Sequence, residues 1–284
     1  MHEGTAGKKR AALLSRLEEL ESLLVAFSGG VDSSFLLAMA KEVLGKKVYA
    51  ATAVSFIHPS KESEDAARIA HLLGVHHIRF ASRETSLESF VANSKERCYY
   101  CKKAMFRQLF SLAEQAGLKM VVHGANRDDL RDYRPGLRAA EEAGAVAPLM
   151  DVELSKEEIR FLSREMGLQT WNKPSDACLA SRIPYGTRIT SEVVQRVDEA
   201  EKILRDKGFP EVRVRHYGAV AGIEVTRDGI HRFSDDALRT EIVERFRKLG
   251  FQTIALDLEG YVSGKMNRPL SSERSRGEKA WRMR

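Results

Sequence analysis

The stretch 27–34, FSGGVDSS, is the strongest indication of the fold of this chain. It follows the apolar run LLVA at 23–26 and precedes FLLAMAKEVLG at 35–45, whose apolar spacing is helical. A glycine turn between a buried strand and a helix presents backbone N–H groups beside the positive helix N-terminus, and open α/β sheets bind anions at such turns. The other interpretation is an ordinary glycine-rich turn with a Ser/Asp cap. The predicted anion site consists of Ser28, Gly29, Gly30 and Ser33, with Asp32 and Ser33 placed to cap the helix.

The composition is that of a soluble globular protein. Of 284 residues, 43% are apolar and 30% are charged. No apolar run approaches the roughly 20 residues that a membrane helix needs, and the start MHEGTAGKKRAALL lacks a signal-peptide core. We therefore expect a cytoplasmic protein with no membrane partner. The net charge of +6 is compatible with anionic partners, either phosphate-rich small molecules or nucleic acid.

Strand and helix patterns alternate along the first part of the chain, which predicts a parallel sheet with helices on both faces. The predicted strands are 23–27, 47–55, 76–81 and 119–124, and the predicted helices are 32–44, 60–73, 99–116 and 155–166. The order then changes to helix 190–207, strands 211–216 and 219–226, helix 234–248 and strand 252–257, which is an α+β arrangement. The predicted domains are 1–187 and 188–270, followed by a basic tail, 271–284, that we expect to be mobile.

A second polar segment, HGANRDD at 123–129, follows the predicted strand KMVV. A loop at this position would reach a ligand bound by the glycine turn, because the carboxyl ends of parallel strands share one edge of the sheet. An Asn/Asp turn without a ligand is the other interpretation. The candidate residues are Gly124, Asn126, Asp128 and Asp129.

The three cysteines indicate a metal or redox site. Cys98 and Cys101 lie in RCYYCKKAMF, and Cys178 lies in PSDACLASRIPYGT. An odd count in a cytoplasmic chain does not favour a disulfide framework. Three thiolates suit a [4Fe-4S] cluster with one iron left open. The alternatives are a redox dithiol, a zinc site completed by a histidine such as His123, or a buried thiol at Cys178.

The glycine turn resembles the SGGxDS signature of the PP-loop ATP pyrophosphatases. It lacks the Gly-Lys-Ser/Thr of a Walker A loop and the three-glycine dinucleotide fingerprint. Over roughly residues 10–270 the chain is similar to one branch of that superfamily, the LarE family of sulfur transferases. The motifs that carry this similarity are SGGVDS, YYCKKAMF, DYRPGL, WNKPSDACLASRIPYGT, GFPEVRVR and SGKMNRPL.

The resemblance implies a PP-loop fold and an ATP-dependent reaction. ATP with Mg²⁺ would bind to residues 28–33 and to Gly124, Asn126 and Asp129. The enzyme would adenylate the carboxylates of pyridinium-3,5-biscarboxylic acid mononucleotide and convert them to thiocarboxylates, releasing AMP and pyrophosphate. The predicted catalytic residues are Asp32, Cys98, Cys101 and Cys178.

The cysteine pattern resembles the family members that carry an iron-sulfur cluster. In that branch Cys98, Cys101 and Cys178 would hold a [4Fe-4S] cluster whose open iron delivers sulfur. Other members sacrifice the sulfur of a single cysteine near the position of Cys178, and this remains the alternative. The implied partners are a sulfur donor, either sulfide or a cysteine desulfurase, and further copies of the chain in a trimer or hexamer.

Arginines in the second predicted domain suit the phosphate of a mononucleotide, because a guanidinium binds phosphate through two parallel hydrogen bonds. Arg213 and Arg215 alternate along a predicted strand and so share one face. They could instead cover the solvent face of an antiparallel sheet. The resemblance assigns Ser181, Arg182, Arg213 and Arg215 to the substrate phosphate, and Glu201 and Glu224 to a possible cation.

Three other functions compete with this assignment. A tRNA thiolation enzyme would also combine a PP-loop with cluster-binding cysteines, but no aromatic-basic RNA-binding segment is present, so we expect no nucleic-acid partner. An amidotransferring synthetase of the NAD or GMP type would not need three cysteines. A pure binding protein would not convert ATP to AMP.

Overall fold

The structure is a computed structural model that describes residues 2–131, 134–174, 177–262 and 264–268. The predicted basic tail, 271–284, lies outside the described residues. The chain divides into two compact units between Cys178 and Leu179. The domain boundary predicted from the sequence, after residue 187, lies within the second of these units.

The first unit alternates helices and strands. In chain order it contains α1 (His2–Glu19), β1 (Leu23–Ala26), α2 (Val31–Leu44), β2 (Val48–Val54), α3 (Ser60–Leu72), β3 (His76–Ala81), α4 (Glu88–Val91), α5 (Arg97–Gln115), β4 (Met120–His123), α6 (Pro135–Glu142), α7 (Pro148–Asp151) and α8 (Lys156–Glu165).

The four strands form one parallel sheet in the order β3-β2-β1-β4. β1 is central, with Val25 opposite Ala50 of β2 and Ala26 opposite His123 of β4. Its Leu23 and Leu24 are fully buried because helices cover both faces of the sheet. The predicted α/β class is confirmed, and the turn after β1 opens at the carboxyl edge, beside the turn after β4.

The helix α2 is apolar almost all round, which is the pattern of a helix buried inside a core. The sequence analysis did not predict α1, although Leu13, Leu17 and Leu20 have helical spacing and pack into the same core. α8 begins with a capping box in which the Ser155 hydroxyl accepts from the Glu158 amide and the Glu158 carboxylate accepts from the Ser155 amide. This cap fixes the start of α8, and therefore the place of Lys156.

The second unit is α+β. It contains α9 (Ser191–Asp206), β5 (Val212–Tyr217), β6 (Val220–Val225), α10 (Arg227–Ile230), α11 (Asp236–Lys248) and β7 (Thr253–Leu256). β6 pairs antiparallel with β5 and parallel with β7. Thr190 and Asp235 cap α9 and α11 through their side chains. Apolar residues of α9, α11 and the strands enclose a core around Phe246. Within the described parts of both units, no helix is both long enough and apolar enough to cross a membrane.

Candidate functional site

The turn after β1 is held by hydrogen bonds within itself. The Ser28 and Ser33 hydroxyls lie 3.1 Å apart, and the Gly30 amide donates to the Ser28 hydroxyl at 3.3 Å. Gly29 has φ +68°, and a Cβ there would lie 3.0 Å from the Cα of Ala66 on α3. Glycine at this position therefore allows both the left-handed backbone and the close approach of α3.

The predicted cap of α2 is wrong. The N-cap residue is Gly30, and in the described part of the chain no side chain caps this helix. The Ser33 hydroxyl instead donates to the Gly30 carbonyl at 3.4 Å, and Asp32 faces other partners. The helix N-terminus consequently keeps a positive end without a side-chain acceptor, which favours an anionic ligand.

The second polar segment lies against the first. The Asn126 amide group donates to Asp32 Oδ1 at 3.2 Å. A Cβ on Gly124 would lie 3.0 Å from the backbone nitrogen of Ser33, so the chain passes too close to α2 for any side chain. The two predicted motifs therefore form one site at the carboxyl edge of β1 and β4.

The same segment is also a well-formed turn. Asp129 Oδ2 accepts from the Asn126 backbone amide at 3.0 Å, and Asp129 Oδ1 pairs with Arg134 at 2.8 Å. Asp128 accepts from the Lys156 backbone amide at 2.8 Å. Asn126 and Gly124 thus contact the glycine turn, while Asp128 and Asp129 shape the segment that presents them.

Two lysines that the sequence analysis did not assign contact the glycine turn. Lys156 Nζ lies 2.5 Å from Asp32 Oδ2, and Lys173 Nζ donates to the Gly29 carbonyl at 3.2 Å. Arg160 holds the Lys173 segment by donating to the Lys173 carbonyl at 2.9 Å. Two ammonium groups beside an uncapped helix N-terminus form a cationic environment that suits a polyphosphate. The motif WNKPSD contained one of them, but only the fold brings Lys156 to Asp32.

The three cysteines all lie in described residues and are thiols. Cys98 is exposed in the first turn of α5, and Cys101 follows one turn later. Burial raises the pKa of the Cys101 thiol, and Lys102 opposes this rise. Among the described residues no three His, Cys, Asp or Glu side chains are arranged as ligands of one metal ion. Three neighbouring groups raise the pKa of Cys101 further through their negative charge, namely Cys178, Glu84 and Cys98.

We expect iodoacetamide to alkylate Cys98 before Cys101. The thiolate is the reacting species, and burial keeps Cys101 protonated while Cys98 is open to solvent. The rates at pH 8 should differ by at least about tenfold. Peptide mass spectrometry after timed quenching measures both rates in one sample. Equal rates in the native protein would contradict the burial of Cys101, and labelling in denaturant, where the rates should converge, is the control.

His123, the last residue of β4, is held neutral by its surroundings. Its ring packs edge-on against Phe106 with centroids 5.6 Å apart. Burial, with a smaller contribution from Lys102, lowers the pKa of His123 to about 4. In the unfolded chain the pKa of His123 is near 6.5, so the unfolded state binds this proton more readily than the folded state does. The folded protein therefore keeps its full stability above pH 6.5 and loses part of it as the pH falls towards about 4.

Between pH 7 and pH 5 this histidine should cost the wild type about 2 kcal/mol of unfolding free energy. The measurement is urea denaturation at the two pH values, for the wild type, His123→Gln and the exposed control His71→Gln. The loss attributed to His123 should disappear in His123→Gln and persist in His71→Gln. An unchanged pH dependence in His123→Gln would contradict the assignment.

In the second unit the predicted phosphate arginines are buried in ion pairs. Arg182 binds Glu201 through Nε at 2.7 Å and Nη2 at 3.0 Å, and Arg215 binds Glu224 through Nε at 3.0 Å and Nη2 at 2.6 Å. Ser181 joins the two pairs, because its carbonyl accepts from Arg215 at 2.9 Å and its hydroxyl accepts from Arg182 at 3.0 Å. The two ion pairs and Ser181 therefore form one connected cluster.

Arg213 and Arg215 do not cover a solvent face of the sheet, since only 8% and 6% of their surfaces are exposed. The Arg213 guanidinium lies 5.2 Å from the centre of the Tyr261 ring and donates to the Val212 carbonyl at 2.9 Å. Glu201 also binds Arg205 at 2.6 Å, so the carboxylates predicted to hold a cation are paired with guanidinium groups. The phosphate and cation assignments stay predictions.

Comparison with known proteins identifies the family. The sequence model of the asparagine synthase family matches residues 10–130. An uncharacterized protein of Synechocystis sp. is 44% identical over 253 residues, which cover 89% of this chain and 94% of that protein. The pyridinium-3,5-bisthiocarboxylic acid mononucleotide synthase of Lactiplantibacillus plantarum is 37% identical over 268 residues, covering 94% of this chain and 96% of that protein. The tRNA-specific 2-thiouridylase MnmA of Rickettsia felis is 25% identical over 231 residues, covering 68% of this chain and 63% of that protein.

The identity to the Lactiplantibacillus synthase extends over almost the full length of both proteins, so it includes both compact units. The asparagine synthase match covers β1, the glycine turn and β4, which are the elements that build the anion site. Both comparisons therefore agree with the resemblance that the motifs carry. The chain belongs to the LarE family of sulfur transferases, ATP-using enzymes of the PP-loop ATP pyrophosphatase superfamily.

Proposed function

We propose that this chain is an ATP-dependent sulfur transferase that converts the carboxylates of pyridinium-3,5-biscarboxylic acid mononucleotide into thiocarboxylates. The observation that carries the proposal is the 37% identity, over 94% of the chain, to the Lactiplantibacillus pyridinium-3,5-bisthiocarboxylic acid mononucleotide synthase. The uncapped start of α2 and the two lysines beside it support the proposal, because they suit the phosphates of ATP.

Activation of the carboxylate is the first step of this proposal. The substrate carboxylate attacks the α-phosphorus of ATP, and pyrophosphate leaves. Backbone N–H groups of the turn 28–33, with Lys156 and Lys173, stabilise the charge of the leaving group. Asp32 offers hard carboxylate oxygens and would hold Mg²⁺. Adenylation is needed because a free carboxylate has no leaving group that sulfur can displace.

The proposed sulfur carrier is a [4Fe-4S] cluster on Cys98, Cys101 and Cys178. Three thiols match the donors of such a cluster, two of them are one helical turn apart on α5, and the charge of Cys178 acts on Cys101. When bound, the cluster would supply an iron with an open position for sulfide. Donation of the Cys178 sulfur itself is the alternative.

The buried arginine cluster of the second unit is the proposed anchor for the phosphate of the mononucleotide. Its members are Ser181, Arg182, Arg213 and Arg215, with Glu201 and Glu224 as the proposed cation ligands. We further propose a cytoplasmic homo-oligomer, a trimer or hexamer, that receives sulfur from sulfide or from a cysteine desulfurase.

The test is an anaerobic reaction of the purified chain with the mononucleotide, ATP, Mg²⁺ and sulfide. Mass spectrometry should show replacement of carboxylate oxygen by sulfur, together with AMP and pyrophosphate. Iron and acid-labile sulfide analysis should find about four irons per chain in the wild type and a loss in Cys178→Ala. Absence of iron, with conversion of Cys178 to dehydroalanine after turnover, would replace the cluster by sacrificial donation.

The similarity to the MnmA thiouridylase favours a tRNA thiolation enzyme as the second candidate. That function requires binding to the phosphate backbone of RNA, whose affinity falls steeply with salt. Binding of bulk tRNA with a steep salt dependence, together with no reaction of the mononucleotide, would favour this candidate.

A further inference from the structure

A buried hydrogen-bond network lies at the carboxyl ends of β2 and β3. Its centre is Glu84, which is 0% exposed. The Glu84 carboxylate accepts from the Ser55 hydroxyl at 2.6 Å and from the Ser82 hydroxyl. Within the described residues no cation forms a salt bridge with Glu84. A buried carboxylate is costly unless hydrogen bonds satisfy it, so the two hydroxyl protons are committed to Glu84.

The network determines which nitrogen of His58 carries the proton. His58 Nδ1 lies 3.2 Å from the Ser55 hydroxyl oxygen. A serine hydroxyl has one proton, and Ser55 uses it in its bond to Glu84. Ser55 can therefore only accept from His58, and the Nδ1 of His58 is the N–H nitrogen. The Nε2 of the neutral ring then carries a lone pair, and within the described residues it makes no hydrogen bond.

The His58 ring shares two charged neighbours with Cys101. Burial is the main cause that lowers the pKa of His58, while Glu84 raises it and Lys102 lowers it. The charges of Glu84 and Lys102 also act on the Cys101 thiol. β2, which leads into the His58 loop, is hydrogen-bonded to the glycine turn through the Thr52 hydroxyl and the Phe27 carbonyl at 2.7 Å. The His58 loop and the glycine turn thus leave neighbouring strands at the same edge of the sheet, and Glu84 and Lys102 act on both His58 and Cys101.

We propose that Nε2 of His58 accepts the proton released when sulfur is transferred to the activated carboxylate, and that Ser55 and Glu84 are positioning residues that hold its tautomer. This inference rests on the proposed function. A hydrosulfide forms the C–S bond to the acyl carbon, and the C–O bond to the phosphate breaks with its electron pair on AMP. The S–H proton passes to His58, which leaves thiocarboxylate, AMP and an imidazolium.

The first test separates adenylation from sulfur transfer. His58→Gln has no side-chain atom that can accept a proton at neutral pH, so the transfer of sulfur from sulfide should slow by about 10²–10⁴-fold. Pyrophosphate release on mixing with ATP and the mononucleotide should continue. The wild-type transfer rate should fall as the pH drops below the ordinary histidine range, and His58→Gln should lack this acid limb. His71→Gln, an exposed histidine, is the matched control and should behave as the wild type.

The second test reads the tautomer without any turnover. Nitrogen-15 NMR of histidine-labelled protein should show His58 with its proton on Nδ1. His216 provides an internal reference of the opposite kind, because its Nδ1 accepts from the Gly218 amide at 3.4 Å and its proton is therefore on Nε2. Glu84→Ala removes the acceptor of the Ser55 proton, so Ser55 can donate to His58 and the His58 proton should move to Nε2. Glu84→Ala should also slow sulfur transfer.

The outcomes distinguish this inference from the proposed function. A wild type that forms no thiocarboxylate from the mononucleotide would overturn the proposed function and this inference with it. A wild type that forms the product, with an equal transfer rate in His58→Gln or with the His58 proton on Nε2, would overturn the inference alone. If His58→Gln does not fold, Ser55→Ala replaces it, since the loss of the Ser55 oxygen frees the tautomer and should slow transfer.

Discussion

Alanine at position 29 should lower the rate of pyrophosphate release from ATP by about 10²-fold, because small displacements of a catalytic site cost that much. Gly29 has φ +68°, where alanine is strained by about 1–2 kcal/mol. The new Cβ would also lie 3.0 Å from the Cα of Ala66 and 3.2 Å from its Cβ. These atoms belong to a packed helix and cannot rotate away, so the phosphate-binding turn must move. Release of pyrophosphate in the presence of the mononucleotide measures the effect.

Gly45→Ala is the matched control. Gly45 has φ +59°, but a Cβ there meets nothing within 4 Å. This variant should lose about 1–3 kcal/mol of unfolding free energy and keep its activity. If the two variants release pyrophosphate at equal rates, the close contact between the turn and α3 does not matter for the reaction.

Replacing Glu201 with glutamine should destabilise the second unit by about 3–5 kcal/mol. Glu201 is 0% exposed and Arg182 is 1% exposed, so the change removes a buried carboxylate charge that binds a buried guanidinium in two hydrogen bonds. Glu201 also accepts from the Val214 amide at 3.0 Å and from Arg205 at 2.6 Å, and glutamine cannot satisfy all three donors. Urea denaturation with a probe in the second unit measures the loss.

Two variants test the cause of this loss. Glu42→Gln breaks the exposed pair with Arg10 and should cost only about 0–1 kcal/mol. The double change Arg182→Met with Glu201→Leu removes both buried charges and should recover part of the stability that Glu201→Gln loses. If Glu201→Gln cost no more than Glu42→Gln, the Arg182–Glu201 pair would not be desolvated in solution.

The order of the elements followed from local patterns. The predicted helix 99–116 corresponds to α5, Arg97–Gln115, and the predicted strand 76–81 to β3. Apolar periodicity predicts these elements because each of them must bury one face. The two glycines after β1 mark the turn between that strand and α2. α1 was not predicted, because its first half, HEGTAGKK, contains two glycines and no apolar periodicity, although Leu13 and Leu17 in its second half have helical spacing.

The candidate site was predicted in part. Ser28, Asn126 and Gly124 were assigned from their motifs, and the fold brings both motifs to one edge of the sheet. Lys156 was not assigned, because its contact with Asp32 joins residues 124 positions apart and depends on where α8 begins. The expected cap of α2 failed for a similar reason, since Asp32 is held by Asn126 and Lys156 rather than by the helix amides.

The amino-acid sequence was sufficient to predict the fold class, the family and the motifs that meet at the carboxyl edge, because periodicity, glycine turns and motif spacing are local properties of the chain. The environment of each functional group, in contrast, depends on the tertiary structure. Burial makes Cys101 a weaker acid and His123 a weaker base. The fold also pairs Arg182 with Glu201, and the contacts of Ser55 with Glu84 and His58 place the His58 proton on Nδ1. These properties depend on desolvation and on partners distant in sequence, which no local pattern records.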